Sequence, residues 1–312
     1  MISPAPIILF VYNRPEHTSE TLNALSQNKE VKDSVLYIYA DGPKDHSTPS
    51  ELNRINEVRS VIRKVDWVKE LHIIERDDNF GLADNIMDGV TTVLDRHGKV
   101  IVLEDDIVTS PGFLDYMNKA LDIYENQTKV MHISGYMFPI KTDDIASSSF
   151  FYNTASCWGW ATWAERWQLL IKNPNHIWAE LEKKKEFSEF NIGGWANFSK
   201  QLRDNIKGIK KTWAVKWYGT IFLNNGYSLH PQYSLVRNIG NDNSGENSKH
   251  TDYYNTKLCE RLEISKLDCQ ENIMIRQRMS DFYFHQKPLK HYIMRCLKPI
   301  LPKGFVGTPF IN

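Results

Sequence analysis

The stretch VIVLEDDIVTSPGFLDYM, residues 100–117, places an apolar run directly before three consecutive acidic residues, Glu104, Asp105 and Asp106. A continuous apolar run is typical of a strand that is buried on both faces. Burying carboxylates beside such a strand is costly unless a partner compensates their charge. The stretch therefore predicts a buried strand whose end presents this acid triplet to a ligand or an ion.

Strands and helices alternate around this stretch. Apolar runs predict strands over 6–15, 34–43, 69–79, 99–106 and 130–138. Apolar residues at helical spacing predict helices over 15–28, 50–65, 81–98 and 111–124. This alternation is the signature of an α/β fold built on a parallel sheet.

In such a sheet, ligands bind in a crevice at the carboxyl ends of the strands. Polar residues close the predicted strands at these ends: Tyr12, Asn13 and Arg14, then Asp41 and Gly42, then the acid triplet. We therefore expect the three groups to converge on one cleft.

Composition excludes several classes of protein. The 312 residues carry 38 basic and 38 acidic side chains, so there is no net charge to attract nucleic acid. The four cysteines have no metal-site spacing, which indicates reduced thiols. No apolar stretch of about 20 residues and no secretory signal is found, so we expect a cytoplasmic protein.

Three adjacent carboxylates at a crevice favour a hard cation, Mn²⁺ or Mg²⁺, because such ions prefer oxygen ligands. Such an ion keeps waters and binds ligand phosphates, so the triplet suggests an ion that bridges the protein to a diphosphate. The alternative is that the carboxylates only cap the next helix or line a solvated loop.

The acid triplet and its following helix resemble the metal-binding region of the GT-A glycosyltransferases. They resemble in particular the animal N-acetylglucosaminyltransferase I type, and are also similar to bacterial sugar transferases of the same broad group. Other segments are similar in the same order: FVYNRP (10–15), YADG (39–42), NFGLADNIMDG (79–89) and SCWGWATWAERWQLL (156–170). The resemblance implies a GT-A fold, with a Rossmann-like nucleotide-binding sheet and a Trp-rich acceptor region.

The resemblance also implies roles for individual residues. Asp106 would bind the metal, Glu104 and Asp105 would hold sugar or ribose hydroxyls or a metal-bound water, and Asp41 would accept from the uracil N–H. The remaining implied donor-site residues are Tyr12, Asn13, Arg14, Gly42, Asn79, Gly81 and Asn85. Plainer roles stay open: Arg14 pairing with an acid, Asp41 starting its turn, and Asn79 with Gly81 capping a helix.

The segment 238–251 is rich in glycine and short polar residues, which suits a mobile loop that orders over a phosphate. His250 within it would reach the metal or the diphosphate, as a late histidine does in several GT-A enzymes. The alternative is a solvated loop histidine.

The catalytic base is where the sequence departs from the family. The family's Trp-Asp-Asp-Trp segment corresponds to residues 213–217, WAVKW, which contain no acid. Two substitutes are Asp242, in the mobile loop, and Glu165, after the Gly-Trp segment. The alternative for Glu165 is an exposed helix face.

The segment 286–305 contains basic residues and no acid, with apolar residues at helical spacing. It predicts either a C-terminal helix docked on the domain or a peripheral contact with an anionic membrane surface. We thus expect a nucleotide-sugar-binding half over 1–130, an acceptor-side half over 131–285, and a basic amphipathic tail over 286–312.

Together these observations predict a metal-dependent hexosyl- or N-acetylhexosaminyltransferase. It would take a UDP-linked donor and a glycan or lipid-linked acceptor in bacterial surface polysaccharide or glycoconjugate synthesis, with inversion. Two alternatives are a sugar nucleotidyltransferase, which the glycine-free segment after the first strand disfavours, and a non-catalytic nucleotide-sugar-binding protein.

Overall fold

The computed structural model describes residues 4–244 and 251–286. Its strands are β1 (Ile7–Val11), β2 (Val35–Ala40), β3 (Glu70–Glu75), β4 (Lys99–Glu104), β5 (Ile107–Thr109), β6 (Val130–Ser134), β7 (Ser149–Tyr152), β8 (Trp160–Trp163), β9 (Tyr227–Pro231) and β10 (Val236–Asn238). Its α-helices are α1 (Pro15–Ser26), α2 (Pro49–Ile62), α3 (Leu82–His97), α4 (Phe113–Ile123), α5 (Ala164–Trp167), α6 (Pro174–Lys184), α7 (Phe187–Phe190), α8 (Phe198–Ile206), α9 (Ala214–Leu223) and α10 (Ile273–His285). Each predicted strand and helix is found inside its predicted range, except that α2 begins one residue earlier.

Eight strands form one mixed sheet in the order β3-β2-β1-β4-β8-β6-β9-β7. The strands β3, β2, β1 and β4 are parallel neighbours, whereas β8 runs antiparallel to both β4 and β6. The strand order reverses between β1 and β4, which makes their carboxyl ends the topological switch point. The predicted fold class is confirmed: this is an α/β protein consistent with a Rossmann-like GT-A arrangement.

Alternate residues of β1 pack on opposite faces of the sheet, as the pleat requires. Ile7 and Leu9 join one apolar cluster, which α1 and α4 cover, and Ile8 and Phe10 join the other, which includes α3. Each such side chain, fully buried, contributes about 1.5–3 kcal/mol of hydrophobic free energy. Burial on both faces explains why β1 is a continuous apolar run rather than an alternating one.

The predicted acceptor-side half contributes four strands to the same sheet, β8, β6, β9 and β7, so the two predicted halves share one sheet. Most of its tryptophans are core residues. The ring centroids of Trp160 and Trp213 lie 5.0 Å apart, as do those of Trp167 and Trp217, and all four side chains are buried. The domain bounds themselves stay a prediction.

Two predicted features, His250 and almost all of the basic tail, lie outside the described residues. Within residues 4–244 and 251–286, no helix has the length and apolar content needed to cross a bilayer.

Candidate functional site

A cleft of about 940 Å³ opens at the carboxyl ends of β1, β2 and β4. The predicted convergence of strand ends is therefore found, and it follows from the reversal of strand order beside β1. Ten of the predicted site residues line this cleft: Tyr12, Asn13, Arg14, Asp41, Asn79, Gly81, Asn85, Glu104, Asp105 and Asp106. Gly42, Asp242 and Glu165 are not among the residues of its walls.

Arg14 pairs with two members of the acid triplet, Asp105 and Asp106. Its Nη2 atom lies 2.9 Å from Oδ2 of Asp106, and its Nε atom lies 3.3 Å from Oδ2 of Asp105. Nη2 also donates to Oδ1 of Asp105. Burial alone would lower the pKa of Arg14, but the two carboxylates outweigh it and raise that pKa above its ordinary value. The guanidinium therefore stays charged and neutralises part of the buried acid.

The other two carboxyl groups titrate unusually. Burial, followed by the charges of Asp106 and Asp105, raises the pKa of Glu104 to about 8. Burial also raises the pKa of Asp105 to about 6, although Arg14 opposes this rise. No hydrogen-bond donor among the described residues contacts the Glu104 carboxyl, which faces the cleft. Glu104 is thus the member of the triplet that is open to a ligand.

The segment after β10 covers Asp106. The backbone N–H of Ile239 donates to the Asp106 carbonyl at 2.9 Å, and Nδ2 of Asn238 lies 3.4 Å from Oδ1 of Asp106. Gly240 packs so closely that a Cβ there would lie 2.1 Å from Oδ2 of Asp106. Farther along, Asp242 lies 3.2 Å from Nε2 of His17 on α1. The described part of the predicted loop is therefore anchored on both the triplet and α1.

The arrangement around Asp106 does not fit a divalent ion. An ion bound there would need carboxylate oxygens at about 2.0–2.6 Å, yet Arg14 and Asn238 already donate to both oxygens of Asp106. In the described part of the chain, no group of three or more His, Cys, Asp or Glu side chains is arranged to hold a metal. The expectation of Mn²⁺ or Mg²⁺ from the sequence stays a prediction.

Asp41 binds the loop that leads into α3. Its Oδ1 accepts from the backbone N–H groups of Gly42 and Phe80, at 2.9 and 2.8 Å, and its Oδ2 accepts from Asn79 Nδ2 and the N–H of Gly81, at 3.1 and 3.0 Å. Four donors use the acceptor capacity of one carboxylate. The contact with a base N–H that the resemblance implies stays a prediction, and the observed role of Asp41 is to fix this loop.

Two glycines allow that loop its path. A Cβ on Gly42 would lie 2.4 Å from the backbone of Asp78, so only glycine fits there. Gly81 has a φ of 72° at the N-terminus of α3, a conformation that L side chains rarely adopt. The loop therefore brings Asn79 and Asn85 to the cleft wall.

Three polar side-chain atoms in the cleft wall are buried and have no hydrogen-bond partner among the described residues: Arg14 Nη1, Asn85 Oδ1 and Asn241 Nδ2. Leaving such groups unpaired costs about 1–3 kcal/mol each. They come from three separate segments, and all three residues line one cleft. The sequence indicated Arg14 and Asn85 but not Asn241, which lies in a segment that was recognised only by its composition.

Aromatic side chains form another part of the cleft wall. Trp158 packs edge-on against Tyr136 and Tyr254, with ring centroids 4.5 and 5.7 Å apart, and all three line the cleft. Lys210 and Lys211 also line it. The Gly-Trp segment indicated Trp158, whereas Tyr136 and Tyr254 reach the cleft only through the tertiary fold.

Neither predicted base belongs to the cleft wall. The Glu165 side chain is 80% exposed and pairs with Arg166, so the structure does not bring it to the cleft. Hydrogen bonds from Ser244 lower the pKa of Asp242 to about 2, which makes this carboxylate a weak proton acceptor. The five carboxyl groups that do line the cleft within the described residues are Asp41, Glu51, Glu104, Asp105 and Asp106.

Fold and site together define an α/β protein with a polar ligand cleft at its topological switch point. No protein-family model matches the chain, and no curated protein matches it. Among solved structures, S. aureus TarS is similar with a TM-score of 0.27 and 16% identity, over 41% of this chain and 21% of TarS. A UDP-glucose pyrophosphorylase complexed with UDP-glucose is similar with a TM-score of 0.31 and 10% identity, over 53% of this chain and 79% of that one. At these values neither similarity assigns an activity to this chain.

Proposed function

We propose that the protein is a glycosyltransferase that moves a hexosyl or N-acetylhexosaminyl group from a nucleotide sugar, UDP-linked by preference, to a glycan or lipid-linked acceptor. The setting would be bacterial surface polysaccharide or glycoconjugate synthesis. In this proposal residues 1–130 bind the donor, residues 131–285 shape the acceptor side, and Asn241 in the loop 238–251 also contacts the donor phosphate. Cytoplasmic location and a membrane contact through 286–305 stay predictions from sequence.

The observation that carries the proposal is the set of three unpartnered polar atoms, on Arg14, Asn85 and Asn241, around the switch point of the sheet. A phosphate offers acceptors to the guanidinium and to the Asn241 amide, and a ribose or sugar hydroxyl offers a donor to the Asn85 oxygen. One ligand that combines phosphates with hydroxyls, a nucleotide sugar, would satisfy all three.

The chemistry proposed is a single displacement. The acceptor oxygen forms a bond to the anomeric carbon of the donor as the bond from that carbon to the phosphate oxygen breaks, which inverts the configuration. A carboxylate takes the acceptor proton. Arg14 stabilises the departing diphosphate through hydrogen bonds in a site of low polarity. The aromatic wall of Tyr136, Trp158 and Tyr254 excludes water and holds the acceptor.

The test is a thermal-shift panel of nucleotides and nucleotide sugars, followed by measurement of nucleotide release from any sugar that binds. We expect UDP and one UDP-sugar to raise the unfolding temperature, and nucleotide release to accelerate when a glycan acceptor is added. Stabilisation by no nucleotide at all would contradict the proposal.

A second candidate is a non-catalytic nucleotide-sugar-binding protein, which is favoured by the position of both sequence-predicted bases outside the cleft wall. Nucleotide binding without hydrolysis or transfer from any donor would support it. The nucleotidyltransferase alternative predicts instead that UTP and a sugar phosphate yield pyrophosphate.

A further inference from the structure

The guanidinium of Arg14 forms ion pairs with the carboxylates of Asp105 and Asp106, where the sequence predicts a metal ion. Three N–H···O contacts join the guanidinium to Asp105 and Asp106, and its side chain is only 13% exposed. A divalent ion on the same oxygens would lie next to the guanidinium, where two positive charges repel strongly because the surroundings are of low polarity.

One nitrogen of this guanidinium, Nη1, donates to neither carboxylate. Nη1 of Arg14 is buried without a partner among the described residues. It faces the covering segment, where a Cβ on Gly240 would lie 2.8 Å from it. Residue 240 is a glycine because any larger side chain would clash with Nη1 of Arg14 and with Asp106. A buried, charged N–H of this kind calls for an anionic acceptor.

The carboxylates also fix the direction of the guanidinium. Because Nε and Nη2 are bound to Asp105 and Asp106, the planar group cannot rotate without breaking these contacts, so Nη1 keeps one orientation. An anchored fork of this kind suits phosphate oxygens. Lys44, Lys210 and Lys211 line the same cleft and add positive charge around it.

We propose that Arg14, held by Asp105 and Asp106, supplies the positive charge that meets the diphosphate of the donor, so that nucleotide binding needs no divalent ion. This inference rests on the proposed function. It changes the role of Asp106 from metal ligand to an anchor for Arg14.

The experiment measures UDP binding to the full chain by calorimetry, in EDTA and in excess Mn²⁺. We expect equal affinity in both buffers. Arg14→Met should weaken UDP binding roughly 10- to 100-fold, the effect of losing a charge-assisted hydrogen bond. Arg14→Lys should weaken it less, because it keeps the charge but not the fork. Arg63→Met is the control, since this arginine pairs with Glu75 away from the cleft.

A second measurement needs no nucleotide. Electron paramagnetic resonance of Mn²⁺ alone should show no uptake by the wild type and clear uptake by Arg14→Met, in which Asp105 and Asp106 have lost their cation. Circular dichroism checks that this variant is folded. If it is not, the UDP titration of Arg14→Lys, which keeps the buried charge paired, tests the inference instead, and affinity equal to that of the wild type would contradict it.

The outcomes separate the two proposals. UDP binding that disappears in EDTA and returns with Mn²⁺ would overturn this inference and leave the glycosyltransferase proposal standing. Uptake of Mn²⁺ by the wild type would overturn it as well. Absence of binding in both buffers, for UDP and for every other nucleotide of the thermal-shift panel, would remove the proposed function itself, and this inference with it.

Discussion

Oδ2 of Asp41 accepts a hydrogen bond from the backbone N–H of Gly81 at 3.0 Å, across 40 residues of sequence. This contact joins the end of β2 to the start of α3, and it is one of four that converge on the same carboxylate. The loop between β3 and α3, which forms part of the cleft wall, is therefore held by one buried side chain, Asp41.

Replacing this carboxylate by an amide should destabilise the protein. In Asp41→Asn, an NH₂ group would face N–H donors that now point at an oxygen, so at least two charge-assisted bonds are lost. We expect the free energy of unfolding to fall by about 2–4 kcal/mol, measured by urea denaturation. The exposed Asp77→Asn is the matched control and should change it by less than about 0.5 kcal/mol. Similar losses in the two variants would contradict this role.

The open carboxyl group of the cleft should be needed for turnover. Glu104 faces the cleft without a donor, and a general base must reach the substrate proton. We expect Glu104→Gln to lower the rate of sugar transfer by about 10²–10⁴-fold. UDP affinity, measured by calorimetry, should change little because the two side chains have nearly the same shape.

Glu165→Gln is the control for this prediction, and it also tests the base suggested by sequence. Because the Glu165 side chain is 80% exposed and lies outside the cleft, we expect full activity. An inactive Glu165→Gln beside an active Glu104→Gln would reverse the assignment.

The aromatic wall should act on the acceptor alone. Trp158 contacts Tyr136 and Tyr254, and all three line the cleft. We expect Trp158→Leu to raise the KM for the acceptor roughly tenfold, because stacking area is lost, and to leave the KM for the donor unchanged. Trp178→Leu is the control, since Trp178 packs on Phe187 outside the cleft. A change confined to the donor KM would place the acceptor elsewhere.

A buried histidine should make stability fall in acid. Trp217 Nε1 donates to Nδ1 of His132 at 3.1 Å, so the proton of the neutral ring is on Nε2, which donates to the Ser156 carbonyl at 3.0 Å. Burial, followed by repulsion from His230, lowers the pKa of His132 from 6.5 to about 3. Below pH 6.5 the unfolded chain therefore binds a proton at His132 that the folded chain does not bind. The contribution of the neutral ring to the free energy of unfolding is present above pH 6.5 and is lost as the pH falls towards 3.

The measurement compares wild type with His132→Gln, in which the amide keeps the donor to Ser156. Between about pH 7.5 and about pH 5, the wild type should lose about 2 kcal/mol through this ring, so the cost of the substitution should shrink by that amount. A cost that is the same at both pH values would show that His132 does not titrate on unfolding.

The strands, the helices and the location of the cleft follow from sequence because their causes are local. Continuous apolar runs, helical spacing and the Asp41-Gly42 turn are all read within a few residues. Parallel strands present their carboxyl ends to one crevice. From this rule, the convergence of Tyr12, Asp41 and Glu104 can be predicted from the sequence alone. This is why the α/β fold and ten residues of the cleft wall could be predicted.

What the side chains do there was decided by the tertiary structure alone. Arg14 and Asp105 are 91 residues apart, and only the parallel pairing of β1 with β4 brings the guanidinium onto the acid triplet. Gly240 meets Asp106 in the same way, through the return of the chain after β10. The sequence identifies three adjacent acidic residues. Whether they face a metal ion, a cationic side chain or a substrate depends on the neighbours that the fold places around them. The reason is that the energy of a buried charge is set by its nearest partners.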